Sequence, residues 1–199
     1  MPSSPLATRA IGRHAVRTEL ARIAFNKFCL TGFDEVTFSD LASTAGVSRS
    51  TFLRHFDTKE DVVLYVFDPV EQEMLNSLRA RTDNTDDWTA LRAAVDAAIR
   101  HLRSNVEHLP AIMDLLGSTP ALCARLRQKQ IEWTPGLVAA LSDSPRAHKS
   151  SDLEHQVRLA AAFECMWAVL AWWGASGAKA DHVSLLDEAF AALAPAERQ

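Results

Sequence analysis

Apolar side chains return every three or four positions from Val16 through Leu20 and Ile23, with Ala21, Ala24, Phe25 and Phe28 widening the stripe. That period places them on one face of a helix. The pattern predicts a helix over about 13–31, stopped by Gly32 and preceded by a loose arm at residues 1–10. Two shorter stretches follow. Phe38, Leu41 and Ala42 share one face, and so do Phe52 and Phe56, with Ala45-Gly46-Val47-Ser48 between them. Thr37 stands where an N-cap belongs, and Asp40 three residues on completes a capping box with Asp in place of Glu. Gly46 suits the left-handed position that ends a helix. Ser48 caps the next helix, expected over 49–55. Thr58 and Asp61 repeat the capping signal and open a helix expected over 59–81, kinked at Pro69.

Trp88, Leu91, Val95, Ile99 and Leu102 form the next periodic stripe. Pro110 precedes a short apolar helix at 111–116 that Gly117 ends. A helix from Pro120 is expected to break or kink at Pro135-Gly136 before continuing over 137–141, and residues 142–152 have loop composition. Segment 159–173 is different in kind, because all but Glu164 of its fifteen residues are apolar. A helix apolar all round has to be covered on every side. It is either the centre of a monomeric bundle or a helix covered on one face by a second copy of the chain, together with the amphipathic helix at 181–194; the second reading is preferred. Strand-period alternation is absent. The expected fold is all-α, with a three-helix helix-turn-helix domain at 1–60 and a helical ligand-binding and dimerisation domain at 61–199.

On the second short helix the residues off the buried face are Arg49, Ser50, Thr51, Arg54 and His55. A short helix whose exposed surface carries hydrogen-bond donors suits insertion into a DNA major groove. Arg49 can reach guanine O6 and N7, and Ser50 and Thr51 can reach bases or phosphates. Arg54 and His55 sit one turn on, near the backbone, and Thr37, Ser48 and Lys59 are phosphate candidates. Thr37, Ser48 and Thr51 also have a purely structural reading as caps and packing groups. Arg9 in the arm either enters a minor groove or has no role.

Residues 13–62 resemble the N-terminal domain of the TetR family of transcriptional repressors. The resemblance rests on Ala24, Phe28, Gly32, Phe33, Val36-Thr37, Asp40-Leu41-Ala42, Ala45-Gly46-Val47-Ser48, Thr51, Arg54-His55-Phe56 and Lys59-Glu60. It implies a dimer held by a four-helix interface and a DNA contact at position 53. The family usually carries an aromatic residue there; Leu53 can make an apolar contact but cannot donate a hydrogen bond.

Charge refines the picture. The chain carries -4 overall, yet residues 1–60 carry +2 and the remainder -6. Arg9, Arg13, Arg17, Arg22 and Lys27 face a single acid, Glu19, in the first 33 residues, which puts the nucleic-acid face at the N-terminus. Cys29, Cys123 and Cys165 are far apart and form no CxxC pair, so buried thiols in a reducing cytoplasm are expected. No signal peptide or spanning segment is apparent, so a cytoplasmic protein with no membrane partner is expected.

Neither a nucleophile motif nor a phosphate loop nor a zinc-protease motif is present, so no catalytic residue, metal or cofactor is assigned. His101, His108 and His155 are expected to be solvated surface residues. The effector-pocket candidates are Phe67, Trp88, Met113, Trp133, Phe163, Met166 and Trp167, each of which could equally be core. The function expected is a homodimeric regulator, a repressor, that binds a palindromic operator in double-stranded DNA and is released by a small apolar or aromatic molecule. The rival is an architectural DNA-binding protein that senses nothing.

Overall fold

The computed structural model describes residues 5–143 and 151–193, with side chains from Gly12 onward. Among the described residues the fold is all-helical: α1 (Pro5–Thr31), α2 (Phe38–Thr44), α3 (Arg49–Leu53), α4 (Lys59–Leu64), a 3-10 turn (Tyr65–Phe67), α5 (Val70–Arg79), α6 (Asp87–Asn105), α7 (Leu109–Ser118), α8 (Pro120–Ser142), α9 (Asp152–Ala175) and α10 (His182–Ala192). The chain forms two compact units, Met1–Tyr65 and Val66–Gln199. The sequence places a boundary after Glu60, but α4 packs on α1, and its Val62, Val63 and Leu64 are buried.

The N-terminal unit is built on α1. Leu20, Ala21, Ala24, Phe25 and Phe28 are buried with Leu41, Phe52 and Phe56. Helix α1 begins at Pro5, so most of the expected loose arm is helical backbone; Arg9's side chain lies outside the described residues. The helix ends at Gly32, whose φ of 94° few L-residues adopt. Helix α3 is shorter than expected, because Arg54 caps it and His55 lies in the following turn.

The helix expected over 59–81 is three pieces rather than one kinked rod. Pro69 has no N–H to give, and its ring clashes with the carbonyl one turn back, so the chain tightens at Tyr65–Phe67 and restarts at Val70. Pro135 has the opposite outcome. Helix α8 runs unbroken through it. Both Pro135 and Ile131, whose carbonyl loses its partner, are exposed, so water can take the freed oxygen.

In the C-terminal unit α9 is the central helix and packs against α6, α7, α8 and α10, while α5 packs on α6 and α8. The core is made by Leu91, Val95, Ile99, Leu122, Leu137, Phe163, Met166 and Leu170 among others. Of the cysteines only Cys165 is buried; Cys29 and Cys123 are exposed because Phe28 and Leu122 take the inward positions beside them. No described helix is long and apolar enough to cross a membrane.

Candidate nucleic-acid interface

Helices α2 and α3 are held by local hydrogen bonds. The Thr37 backbone N–H and hydroxyl donate to Asp40 Oδ2 at 2.9 and 2.7 Å, and the Asp40 N–H donates to Thr37 Oγ1 at 3.2 Å. Those bonds, led by the one from the Thr37 hydroxyl, hold the Asp40 carboxyl below its usual range. Gly46 takes the left-handed turn at φ 68°. Ser48 Oγ accepts from the Thr51 N–H at 3.1 Å and lies 2.9 Å from both Ser50 Oγ and Thr51 Oγ1. Phe52 is the inward residue of α3, edge-on to Phe38 with ring centroids 5.7 Å apart.

This leaves Arg49, Ser50, Leu53 and Arg54 exposed on α3 and its C-cap, with Thr51 and His55 half-buried. Thr37 and Ser48 are exposed as well but are engaged as caps. Lys59 sits differently from a free phosphate contact. Its Nζ donates to the Phe33 and Asp34 carbonyls at 2.9 and 3.4 Å and lies 4.7 Å from the Phe33 ring centroid. Two of its three N–H donors therefore fasten the loop after α1, and one remains.

Tyr65 anchors the end of this unit. Its hydroxyl lies 2.7 Å from His14 Nδ1 and 3.2 Å from Thr18 Oγ1, and the Arg17 guanidinium stacks on its ring and on Phe56. None of these contacts has a local sequence signal, because they join residues about fifty positions apart.

The effector candidates of the C-terminal unit fall into groups. Phe67 meets Trp167 edge-on at 5.4 Å, and Trp133 faces Phe163 at 6.1 Å. Met166 is fully buried and Met113 half-buried. Trp88 stands apart from these pairs, stacked 4.5 Å from Phe190 of α10 and donating Nε1–H to the Phe190 carbonyl at 3.3 Å. The Trp167 indole N–H is buried and has no hydrogen-bond partner. A polar open groove of about 470 Å³ between α5 and α6, lined by Glu73, Asn76, Ser77, Arg100, His101 and Ser104 among others, contains none of the candidates.

A buried ionic cluster escaped the sequence reading. Asp87 accepts from Arg158 Nη1 at 2.9 Å and lies 3.5 Å from Arg81 Nη1. Arg81 Nη2 donates to the Leu141 carbonyl at 2.6 Å. His155, only 1% exposed and so not a surface histidine, lies 3.1 Å from Ser142 Oγ through Nδ1 and 3.3 Å from Asp87 Oδ2 through Nε2. The Nε2 contact is misaligned for a hydrogen bond and counts as charge proximity only. The cluster ties the turn before α6 to the end of α8 and the start of α9.

The class of protein that the N-terminal unit defines is a helix-turn-helix domain with a largely polar exposed face on α3. Residues 23–66 match the family described as bacterial regulatory proteins, tetR family. All but the last residue of that match lies within the N-terminal unit. Over 139 residues it is 29% identical to the HTH-type transcriptional regulator TcmR of Streptomyces glaucescens, covering 69% of this chain and 57% of that protein. The chain spans about half the length of the curated relatives it matches. The fold is that of the fatty acid degradation regulator FadR from Bacillus halodurans, with a TM-score of 0.60 at 16% identity over 100% of both chains. It is also that of the FadR repressor of Thermus thermophilus, solved in complex with lauroyl-CoA, with a TM-score of 0.58 at 19% identity over 92% of this chain and 95% of that one. The family and these relatives are regulators, not enzymes.

Proposed function

We propose that the protein is a homodimeric transcriptional repressor that occupies a palindromic operator and leaves it when a small apolar or aromatic molecule binds the C-terminal unit. The observation that carries the DNA-binding reading is the exposed surface of α3. Arg49 is held by a capped five-residue helix whose only buried side chain is Phe52, so it is presented outward with a fixed base beneath it. An outward guanidinium on such a helix suits bidentate contact with guanine. Arg54 and the remaining donor of Lys59 supply charge for phosphates.

The dimer rests on α9. Leu153, Val157, Ala160, Ala168, Ala171 and Trp172 lie on one exposed stripe, interrupted by Glu164, which pairs with Arg127 at 3.4 Å; Trp172 is 71% exposed. The opposite face is fully packed within the unit, so the stripe is the side a second copy would cover. Residues 159–173 and 181–194 are the proposed interface. Two-fold symmetry in the protein would be matched by two-fold symmetry in the operator.

The effector reading rests on the Phe67–Trp167 and Trp133–Phe163 groups with Met166 and the half-buried Met113. An unsatisfied buried N–H costs about 1–3 kcal/mol, and an effector oxygen facing the Trp167 indole would remove that cost. A ligand releases DNA only if it binds the released form more tightly.

The test is selection of duplexes from a random pool by the full chain. Enrichment of a two-fold symmetric site supports the reading; the absence of any enriched sequence overturns it. Recovery of bent or shape-selected DNA with no consensus would favour the architectural alternative.

A further inference from the structure

The exposed stripe of α9 is apolar except at Glu164, the one charged residue of segment 159–173. Ala160 and Ala168 stand about one turn to either side of it, and the large side chains, Leu153, Val157 and Trp172, lie toward the two ends. A charge in the middle of an apolar seam needs a partner there, because a buried carboxylate left unpaired is strongly destabilising. The structure puts a cation beside it. Arg127 of α8 reaches Glu164 Oε1 through Nη1 at 3.4 Å and, through the same nitrogen, Gln130 Oε1 at 3.3 Å. The two side chains of the pair are 60% and 69% exposed, so neither is held by the core of the subunit. A guanidinium carries five N–H donors in a planar fork, and both contacts use one terminal nitrogen, so the fork has donors left for a second carboxylate. Ile131 lies about one turn further along α8 on the same face and is 58% exposed. The uncovered surface therefore runs on from the stripe of α9 to this face of α8.

We propose that the dimer seam extends onto α8 and closes on an ionic ring, in which Arg127 of each subunit pairs with the partner's Glu164. The proposal rests on the dimer reading above and adds to it the residues that select a second copy of this chain as the occupant. Two arguments carry it. In a two-fold contact a patch meets itself, so that one residue faces a second on the other copy and the second faces the first. A patch that presents a cation and an anion side by side is self-complementary under that operation. The other argument is position. Residues at the middle of a two-fold patch lie near the axis and approach their own copies, so Glu164 brings two like charges together, which is unfavourable unless cations come with them. Arg127 supplies one per subunit, and the ring then holds two charges of each sign. The small side chains of Ala160 and Ala168 leave room for α9 and its copy to approach closely at this level. A single polar position in an apolar helix seam fixes register and partner at some cost in stability. Here a partner helix with an apolar residue in that place would leave Glu164 covered without its second cation.

The experiment uses the full chain with two charge reversals, Glu164→Arg and Arg127→Glu. Both positions are exposed, so each variant should fold, which circular dichroism and the denaturation midpoint check. In Glu164→Arg the ring becomes four cations, and in Arg127→Glu it becomes four anions. Each variant alone should dimerise about tenfold or more weakly than the wild type in sedimentation equilibrium. Mixed one to one, the two should form a heterodimer of near wild-type affinity, seen as the mixed mass in native mass spectrometry with one chain tagged, because every pair across the seam is again cation to anion. Within each subunit the pair is still like-charged, so this rescue cannot come from the contact inside one subunit. The chain carrying both reversals should dimerise with itself and not with the wild type. If a charge reversal fails to fold, Glu164→Gln keeps the shape of the side chain and should weaken the dimer severalfold; an unchanged affinity there overturns the inference. Single reversals that dimerise as well as the wild type, or that weaken the dimer and are not rescued by mixing, overturn it too while leaving the dimer reading in place. A wild-type monomer overturns the dimer reading first, and this inference with it.

Discussion

The caps of α2, α3 and α4 join residues three positions apart: Thr37 with Asp40, Ser48 with Thr51, Thr58 with Asp61. The polar cluster of the C-terminal unit joins Asp87 to Arg81, His155 and Arg158, drawn from separate elements. The first kind of contact fixes the outline of a small helix wherever it occurs. The second exists only once several helices have packed, and it is buried, so it is sensitive to the loss of any one partner. The two kinds of contact thus respond differently to the loss of a partner, and substitutions should separate them.

The largest effect is expected where a charge is forced into the proposed dimer seam. Ala168→Glu places one carboxylate per subunit on the exposed stripe of α9, and burying unpaired charges costs several kcal/mol per ion. Sedimentation should show the wild type as a dimer and the variant as a folded monomer, because Ala168 is not part of the subunit core. A wild-type monomer at micromolar concentration would remove the dimer from the proposal.

Next is Asp87→Ala. It leaves Arg81, Arg158 and His155 crowded around a lost anion, and breaking a buried pair from one side costs about 3–5 kcal/mol. Part of Arg158 is in solvent, so the lower end applies. Denaturant unfolding followed by tryptophan fluorescence should show the loss in the C-terminal unit, which holds all five tryptophans. Unchanged stability would mean that the cluster is held by packing rather than by its charges.

Arg49→Ala should weaken operator binding by about 1–3 kcal/mol and relax preference at one base pair of each half-site. Equal losses on operator and random DNA would make Arg49 a phosphate contact instead.

A smaller effect concerns pH. The Asp40 carboxyl titrates below its ordinary range because the Thr37 hydroxyl and N–H bond its charged form. A carboxyl lowered on folding adds stability above its unfolded pKa of about 3.9, and that contribution is lost as pH falls through the lower folded value. Amide exchange in α2 should therefore rise at acid pH in the wild type. In Asp40→Asn the part of the slope owed to this group should be missing. Identical slopes would assign the acid sensitivity elsewhere.

The smallest effect is local. Ala178 follows α9 with φ 62°, a left-handed conformation that costs an L-residue about 1–2 kcal/mol, partly offset in Ala178→Gly by a floppier unfolded chain. A net gain of about 0.5 kcal/mol in the C-terminal unit is expected, read from its denaturation midpoint.

By itself the sequence determined the all-α class, the helix-turn-helix and its caps, because each rests on hydrogen bonds and apolar spacings within a few residues. It also marked α9 as a helix needing cover on more than one side. Only the tertiary structure decided that Pro69 breaks a helix while Pro135 does not, since both lack the same N–H and the local pattern does not tell them apart. Only packing turned Lys59 toward the Phe33 carbonyl and placed His155 in the core beside Asp87, because those partners lie far along the chain and no local period encodes their meeting. Leu53 shows the two levels together. Helical spacing put it on the same face as Arg49, and the burial of Phe52 left both exposed, together with Ser50 and Arg54.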